Sequence, residues 1–228
     1  MPIAVHFYGI PGAGKGTQAD LLSRKKHIVH FDTGPYLKQL LTRPESLHDP
    51  MLREQKNIWD TGGLNEPSWV LDIVGSFAQS QINYNQSIIF SCSPHTLFEA
   101  FGDAKNQGLV DITTKGYRAE NVYIIYLNLP ENIGASRNSV RKLCSECRLI
   151  VLSTEETKPL TRCITCGAPL ETRKLLDAPE TYNIRIREYR ERTEPVLTEL
   201  RARNIRVIEI NADQEPYVIH RLILQLIS

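Results

Sequence analysis

The sequence predicts an α/β fold: a parallel sheet flanked by helices around a phosphate-binding loop, with a helical insertion and a zinc-binding lid. Three observations predict it. Short apolar runs alternate with stretches of helical periodicity along the 228 residues. A Gly-x-x-x-x-Gly-Lys-x-Thr run, residues 9–17, follows the first apolar run directly and opens the first helical stretch. Two Cys-x-x-Cys knuckles, 144–147 and 163–166, sit inside a segment rich in turn residues.

The candidate strands are 3–8, 28–31, 87–91, 122–129 and 205–210, with Ile124-Ile125-Tyr126-Leu127 and Val207-Ile208-Glu209-Ile210 the clearest. Helical patterns cover about 15–26, 35–42, 50–61, 66–82, 95–107, 131–142, 179–203 and 214–227. Strands separated by helices form a parallel sheet covered on both faces. Two segments interrupt the alternation, and they divide the chain. A core is expected over 1–31, 67–142 and 173–228, a helical insertion over 32–66, and a small lid over 143–172. Both insertions are expected to grow from the sheet end that carries the phosphate loop, where ligands bind in such folds.

The loop reads Gly9-Ile-Pro-Gly12-Ala13-Gly14-Lys15-Gly16-Thr17. Its glycines let backbone N–H groups converge on an anion without side chains in the way. The helix that follows adds partial positive charge at its start. Lys15 supplies a full charge for the β- and γ-phosphates, and the Thr17 hydroxyl suits Mg²⁺. Gly12, Ala13, Gly14, Lys15, Gly16 and Thr17 are therefore the expected contacts of a nucleoside triphosphate, ATP in the first instance.

Composition removes other classes. Lys and Arg number 27 against 26 Asp and Glu, so no global field exists for nucleic acid or an anionic membrane. No apolar run approaches the ~18–20 residues a membrane span needs, and no secretory leader pattern precedes the loop. A cytoplasmic monomer acting on small-molecule nucleotides is expected, with neither nucleic acid nor membrane as partner.

Cys144, Cys147, Cys163 and Cys166, with fifteen residues between the knuckles, have the spacing of a tetrahedral structural Zn²⁺ site. Two disulfides are the alternative, and a reducing compartment disfavours them. A zinc ribbon for nucleic acid is a further one, but the segment 148–162 has few basic residues and no aromatics. The metal reads as a clip for a segment too small to fold on its own core. Cys92 stands apart and reads as an ordinary buried thiol.

With these residues in place, the chain resembles the adenylate kinase family over nearly its whole length. The resemblance lies in Gly9-Ile-Pro-Gly-Ala-Gly-Lys-Gly-Thr-Gln18, in Asp32-Thr33-Gly34-Pro35-Tyr36-Leu37-Lys38, in Ser93-Pro94-His95-Thr96, in Arg137 and Arg141, in the four cysteines, and in Tyr189 through Thr193-Glu194-Pro195. It implies transfer of the γ-phosphoryl of MgATP to a nucleoside monophosphate, AMP first. The 32–66 insertion would hold that acceptor and the lid would close over the donor. It implies roles for Lys15, Arg137, Arg173, Arg185 and His95 in the transfer, with Arg141 beside the donor. Thr33, Gly34, Lys38, Leu64, His95 and Glu99 would contact the acceptor. Arg137 and Arg141, four apart on a helical stretch, are expected to share one face, and an arginine fork suits phosphate oxygens. Arg187 is the weaker neighbour of Arg185.

The chain departs from the family at several of these places. His95 and Lys38 stand for arginines, and Ser91 and Pro35 stand for carboxylates that would order the waters of Mg²⁺. The expectation is a metal held mainly by nucleotide and Thr17, and weakened catalysis, with His95 recovering charge if protonated. Glu99 stands for a glutamine on the edge of the acceptor base; an ionised carboxylate only accepts, which favours guanine, whereas a surface glutamate would mean nothing for specificity. A GMP kinase and a non-catalytic nucleotide-binding protein are thus the rivals. A small-molecule kinase of similar topology is a third, against which the lid and insertion argue.

Overall fold

The computed structural model describes every residue except 62, 152–153, 173–177 and 228. In chain order the core begins with β1 (Ala4–Tyr8), α1 (Lys15–Lys26), β2 (Val29–Phe31), α2 (Thr33–Leu41), α3 (Pro50–Asp60) and α4 (Pro67–Asn83). It continues through β3 (Ile88–Phe90), α5 (Leu97–Phe101), α6 (Leu109–Tyr117), β4 (Val122–Asn128) and α7 (Glu131–Ser139). A small antiparallel sheet follows, built of β5 (Lys142–Cys144), β6 (Ile150–Val151) and β7 (Leu170–Glu171). The chain ends with α8 (Pro179–Glu188), α9 (Glu194–Ala202), β8 (Val207–Asn211) and α10 (Pro216–Leu226).

The five core strands pair in parallel in the order β2-β3-β1-β4-β8. Each lies where the apolar runs place it, because a strand covered on both faces needs an unbroken apolar run. Alternation sorts the side chains. Val5 and Phe7 of β1 join Ala19, Leu22, Ile125, Ile219 and Ile223 in one core, beneath α1 and α10. Ala4 joins Phe31, Trp69, Val74, Ile88 and Phe90 in a second core on the opposite face, beneath α2 and α4. The chain leaves β1 toward β2 on one side, while β4 lies on the other, so a crevice opens at the carboxyl end of β1. The phosphate loop fills that place.

Three helical expectations are corrected. The stretch 95–107 is helical only from Leu97 to Phe101. Gly102, at φ 67°, stops it, and a second helix, α6, which the periodicity did not reveal, starts after Gly108. Any Cβ on Gly108 would lie 2.3 Å from the Ala100 carbonyl oxygen, so the chain doubles back where only glycine fits. The stretch 131–142 ends at Ser139, so Arg141 lies past the helix and shares no helical face with Arg137. The long stretch 179–203 is interrupted by a five-residue π-helical turn, Tyr189–Thr193, between α8 and α9. Such turns carry one extra residue and recur at functional sites.

Candidate functional site

The phosphate loop is set by its neighbours. Gly9 has φ 144°, and a Cβ there would lie 2.6 Å from the Leu127 carbonyl oxygen. Gly12 has φ 91°, and a Cβ there would lie 2.6 Å from the carbonyl oxygen of Gly134. These two close approaches explain why the turn between β1 and α1 must be glycine. Gly134 in turn lets α7 settle on Pro11 and Gly12, while Tyr182 of α8 donates to the carbonyl of Glu131, 3.0 Å away. Loop, α7 and α8 are thus locked together by small residues and one phenol.

Lys15 arches back over the loop and donates to the carbonyls of Gly9 (2.6 Å) and Ile10 (3.1 Å). Burial lowers its pKa to about 8, and the cations Arg185 and Arg141 push the same way, against Cys92 and Asp32. Those shifts show which groups face each other: Lys15, Arg141, Arg185, Asp32, Cys92 and His95 share one electrostatic neighbourhood. Such a cluster of cations around one lysine wants a polyanion.

The other named residues fall into groups. Thr33 is buried and bonds through its hydroxyl to that of Ser93 at 2.8 Å, and Gly34 follows it in the first turn of α2. Arg137 donates to the Ala212 carbonyl at 2.9 Å and lies 3.8 Å from Asp213, which turns it toward the β8–α10 loop. Gln18 reaches the same loop by donating to the Pro216 carbonyl at 2.9 Å. That loop carried no motif, and only the fold shows it flanking the phosphate site. Lys38 is exposed on α2, and Arg187 is exposed whereas Arg185 is half-buried. Leu64 lines a cleft of about 680 Å³ with Asn65, Thr96, Phe98 and Arg192. Arg173 lies outside the described residues.

His95 and Glu99 act as one loop. The Thr96 hydroxyl accepts from the Glu99 amide at 3.1 Å and caps α5. The Glu99 carboxylate accepts from the His95 amide at 2.9 Å and from the Thr96 hydroxyl at 3.3 Å. This is a capping-box arrangement, so Glu99 is not a surface carboxylate. Its burial raises its pKa to about 7, despite those bonds and the nearby Arg192. His95 meets the Thr193 hydroxyl at 3.4 Å, on the π-helical turn. Burial, then Lys15 and Arg185, lower its pKa to about 3. In the field of the protein's own charges His95 is a neutral ring, and the charge expected of it would have to come with a phosphate beside it.

Ser91 and Pro35 carry no carboxylate, and Asp32, at the start of α2, sits in the field of Lys15 and Cys92. Cys92 is half-buried beside Lys15 rather than set in a plain core, and burial, then Asp32, raises its thiol pKa. Thr17 and Asp32 together offer the hard oxygen donors that Mg²⁺ takes.

The cysteines converge as expected. Their four Sγ atoms lie within 4.8 Å of one another, with Cys144–Cys166 at 3.4 Å and Cys147–Cys163 at 3.6 Å. Four sulfurs so placed fit one tetrahedral zinc, with no position left for catalysis. Gly167, at φ 75°, makes the tight turn after the second knuckle and donates to the Cys163 carbonyl at 2.9 Å. Amides of Cys166 and Thr165 aimed at Cys163 draw its thiol down to about 6, the thiolate form a metal requires. The Lys142 ammonium donates to the carbonyls of Lys158 and Leu160 and ties the intervening loop to β5.

Loop, lysine and strand order together define the class: a P-loop nucleotide-binding protein. Comparison with known proteins narrows it. A family model described as an AAA domain matches residues 8–74. The adenylate kinase of Petrotoga mobilis is 30% identical over 209 residues, covering 91% of this chain and 89% of that protein. Those of Borrelia turicatae (29%, 97% of each chain) and Archaeoglobus fulgidus (30%, 87% and 86%) are similar over comparable lengths. The chain belongs to the adenylate kinase family.

Proposed function

We propose that this protein transfers the γ-phosphoryl group of MgATP to a nucleoside monophosphate, with AMP as the acceptor. The observation that carries the reading is the gathering of Lys15, Arg141 and Arg185 about a glycine loop at the head of α1, in a chain of this family. The loop amides and Lys15 hold the β- and γ-phosphates. Arg185 and Arg141, with Arg137 and Arg173, neutralise charge as it spreads over the transferred group, and the acceptor oxygen attacks in line. Thr17 and Asp32 would hold Mg²⁺, which would supply positive charge to offset that of the phosphates. Thr33, Gly34, Lys38, Leu64 and His95 are the proposed acceptor contacts. The 32–66 insertion would carry that acceptor, and the cysteine module, residues 143–172, would close over the donor and exclude water. Structural zinc held by Cys144, Cys147, Cys163 and Cys166 would keep that module folded.

A second reading, GMP as acceptor, rests on Glu99. Its two oxygens already serve the His95 and Thr96 groups, and with a pKa of about 7 it is half protonated near neutrality. Engaged in these bonds within its own loop, Glu99 does not single out guanine, and AMP remains the proposed acceptor. The test is a panel of monophosphates with MgATP, following ADP. AMP turned over faster than GMP is the expected result. Tight ATP binding with no ADP from any monophosphate would leave a nucleotide-binding protein without transfer activity.

A further inference from the structure

His6 is a histidine in the middle of a buried strand. Its neighbours Val5 and Phe7 face one core, so alternation turns His6 toward the other, with Ala4. No part of it reaches solvent. Its ring stacks on Phe90, its partner across β1 and β3, with 5.1 Å between centroids. An apolar side chain would fill this space more simply, because a buried polar ring must find partners for both nitrogens. His6 finds them. Nε2 lies 3.1 Å from the Thr113 hydroxyl on α6, and Nδ1 lies 3.5 Å from the Ser93 carbonyl oxygen on the β3–α5 loop.

The hydrogens set the direction of these bonds. Burial holds the ring neutral, with a pKa of about 4, so it carries one hydrogen. On Nε2, that hydrogen would leave the Nδ1 lone pair facing the lone pairs of the Ser93 carbonyl. On Nδ1, it is donated to Ser93, and Nε2 accepts from the Thr113 hydroxyl. Thr113 forgoes little, since the carbonyls of Leu109 and Val110 within its reach already accept from amides of α6. The Ser93 hydroxyl in turn meets that of Thr33 at 2.8 Å, in the first turn of α2. Ser93, Thr33 and Thr113 are all buried. One line of bonds thus runs from α6 through β1 and the β3–α5 loop to α2. Gly9 of the phosphate loop follows His6 by three residues, and His95 follows Ser93 by two.

Resting on the phosphotransfer reading, we propose that His6 is a positioning residue for the acceptor: it anchors the Ser93 carbonyl to the strand that carries the phosphate loop, and so fixes Thr33 and His95 relative to the donor phosphates. The demand is one of placement. The acceptor oxygen must lie in line with the γ-phosphorus, and a misplacement of about 1 Å costs up to about a hundredfold in rate. The β3–α5 loop joins a three-residue strand to a five-residue helix, neither long enough to hold it rigid alone. The Thr96–Glu99 capping box fastens the far end of this loop, and His6 fastens the near end.

The experiment compares the parent with His6→Leu, His6→Asn, His6→Gln and Thr113→Val, each first checked by thermal melting and assayed well below its melting temperature. Rates with MgATP and the monophosphate that the parent turns over fastest are read beside ATP affinity from calorimetry. Nitrogen magnetic resonance of isotope-labelled histidine reports which ring nitrogen of His6 carries the hydrogen. In His6→Leu, ATP affinity should stay within about twofold of the parent while kcat/KM for the monophosphate falls roughly ten- to a hundredfold. The amide nitrogen of asparagine sits where Nδ1 does, and that of glutamine where Nε2 does. His6→Asn should therefore recover much of the loss and His6→Gln little, with Thr113→Val between the parent and His6→Leu. An unchanged kcat/KM in His6→Leu, or equal recovery by asparagine and glutamine, would overturn the proposal and leave His6 a filler of the core. A parent spectrum with the hydrogen on Nε2 would overturn it too, and that measurement needs no substitution at a buried site. A parent that turns over no monophosphate would instead remove the phosphotransfer reading, and this inference with it, whatever the spectrum shows.

Discussion

The two sides of the phosphate site are built from opposite materials. On the donor side a glycine loop, Lys15, Arg141 and Arg185 supply fixed positive charge. On the side proposed for the acceptor, the β3–α5 loop presents Ser91, Cys92, Ser93 and a neutral His95, held by Thr33, Thr193 and Glu99. The difference teaches that gripping a triphosphate and moving its last phosphoryl group are separable demands. Main-chain amides and one lysine meet the first. The second needs charge where negative charge grows, and here that side relies on hydrogen-bonded neutral groups.

The comparison breaks most sharply at Lys15. Lys15→Ala should weaken ATP binding and slow transfer by roughly 10²–10³-fold, the scale for losing one preorganised charge. In the parent, Lys15 has a pKa of about 8, which a triphosphate would raise by its charge. Binding at pH 8 should therefore take up protons, so calorimetric heats measured in buffers of different ionisation enthalpy should differ; identical heats would mean Lys15 does not meet the phosphates. A different dependence is expected away from the site. Chelation or Cys144→Ser should release the clip and lower the melting temperature by roughly 5–10 °C, the shift about 2–3 kcal/mol gives in a chain of this size. Metal analysis should find one zinc per chain in the parent.

The acceptor side should respond by gain. His95→Arg places a permanent charge and a bidentate fork beside Lys15 and Arg185. Transfer should rise about tenfold, at the cost of stability in the absence of nucleotide, because three cations then crowd one site; unchanged steady-state rates would show that charge is not what this side lacks. A further effect, on stability rather than transfer, concerns Glu99. Its carboxyl titrates near 4.5 in an open chain and about 7 in the fold. The folded state therefore binds the extra proton between those values, and stability should fall as pH rises from 4.5 through 7. The full penalty, on the order of 3 kcal/mol, applies above 7. Glu99→Gln should flatten that slope in melting curves recorded across the window.

The sheet was legible because buried parallel strands are predominantly apolar runs, and 3–8, 28–31 and 122–129 read as such despite His6, His30 and Asn128. The loop and the cysteine knuckles were legible because their chemistry fixes both residue type and spacing. What escaped has physical causes. The break at Gly102 and Gly108 hides inside a helical period, since only the near collision with Ala100 shows why the chain must turn. Arg141 leaves the helix because β5 begins one residue later, an event a helical period does not encode. Glu99 is revealed as a loop clamp only by where its oxygens end. Pairings across elements leave no local mark.

The π-helical turn at Tyr189–Thr193 sets a phase between the two halves of one long rod. Ahead of it Arg185 faces Lys15; behind it Thr193 meets His95. An extra residue in a helix rotates everything beyond it by about 100°, so this insertion works like an offset cam on a shaft that touches donor and acceptor sides at once. On the proposed transfer reading, one rod thereby reaches the Lys15 side and the His95 side together, so the two cannot be set independently.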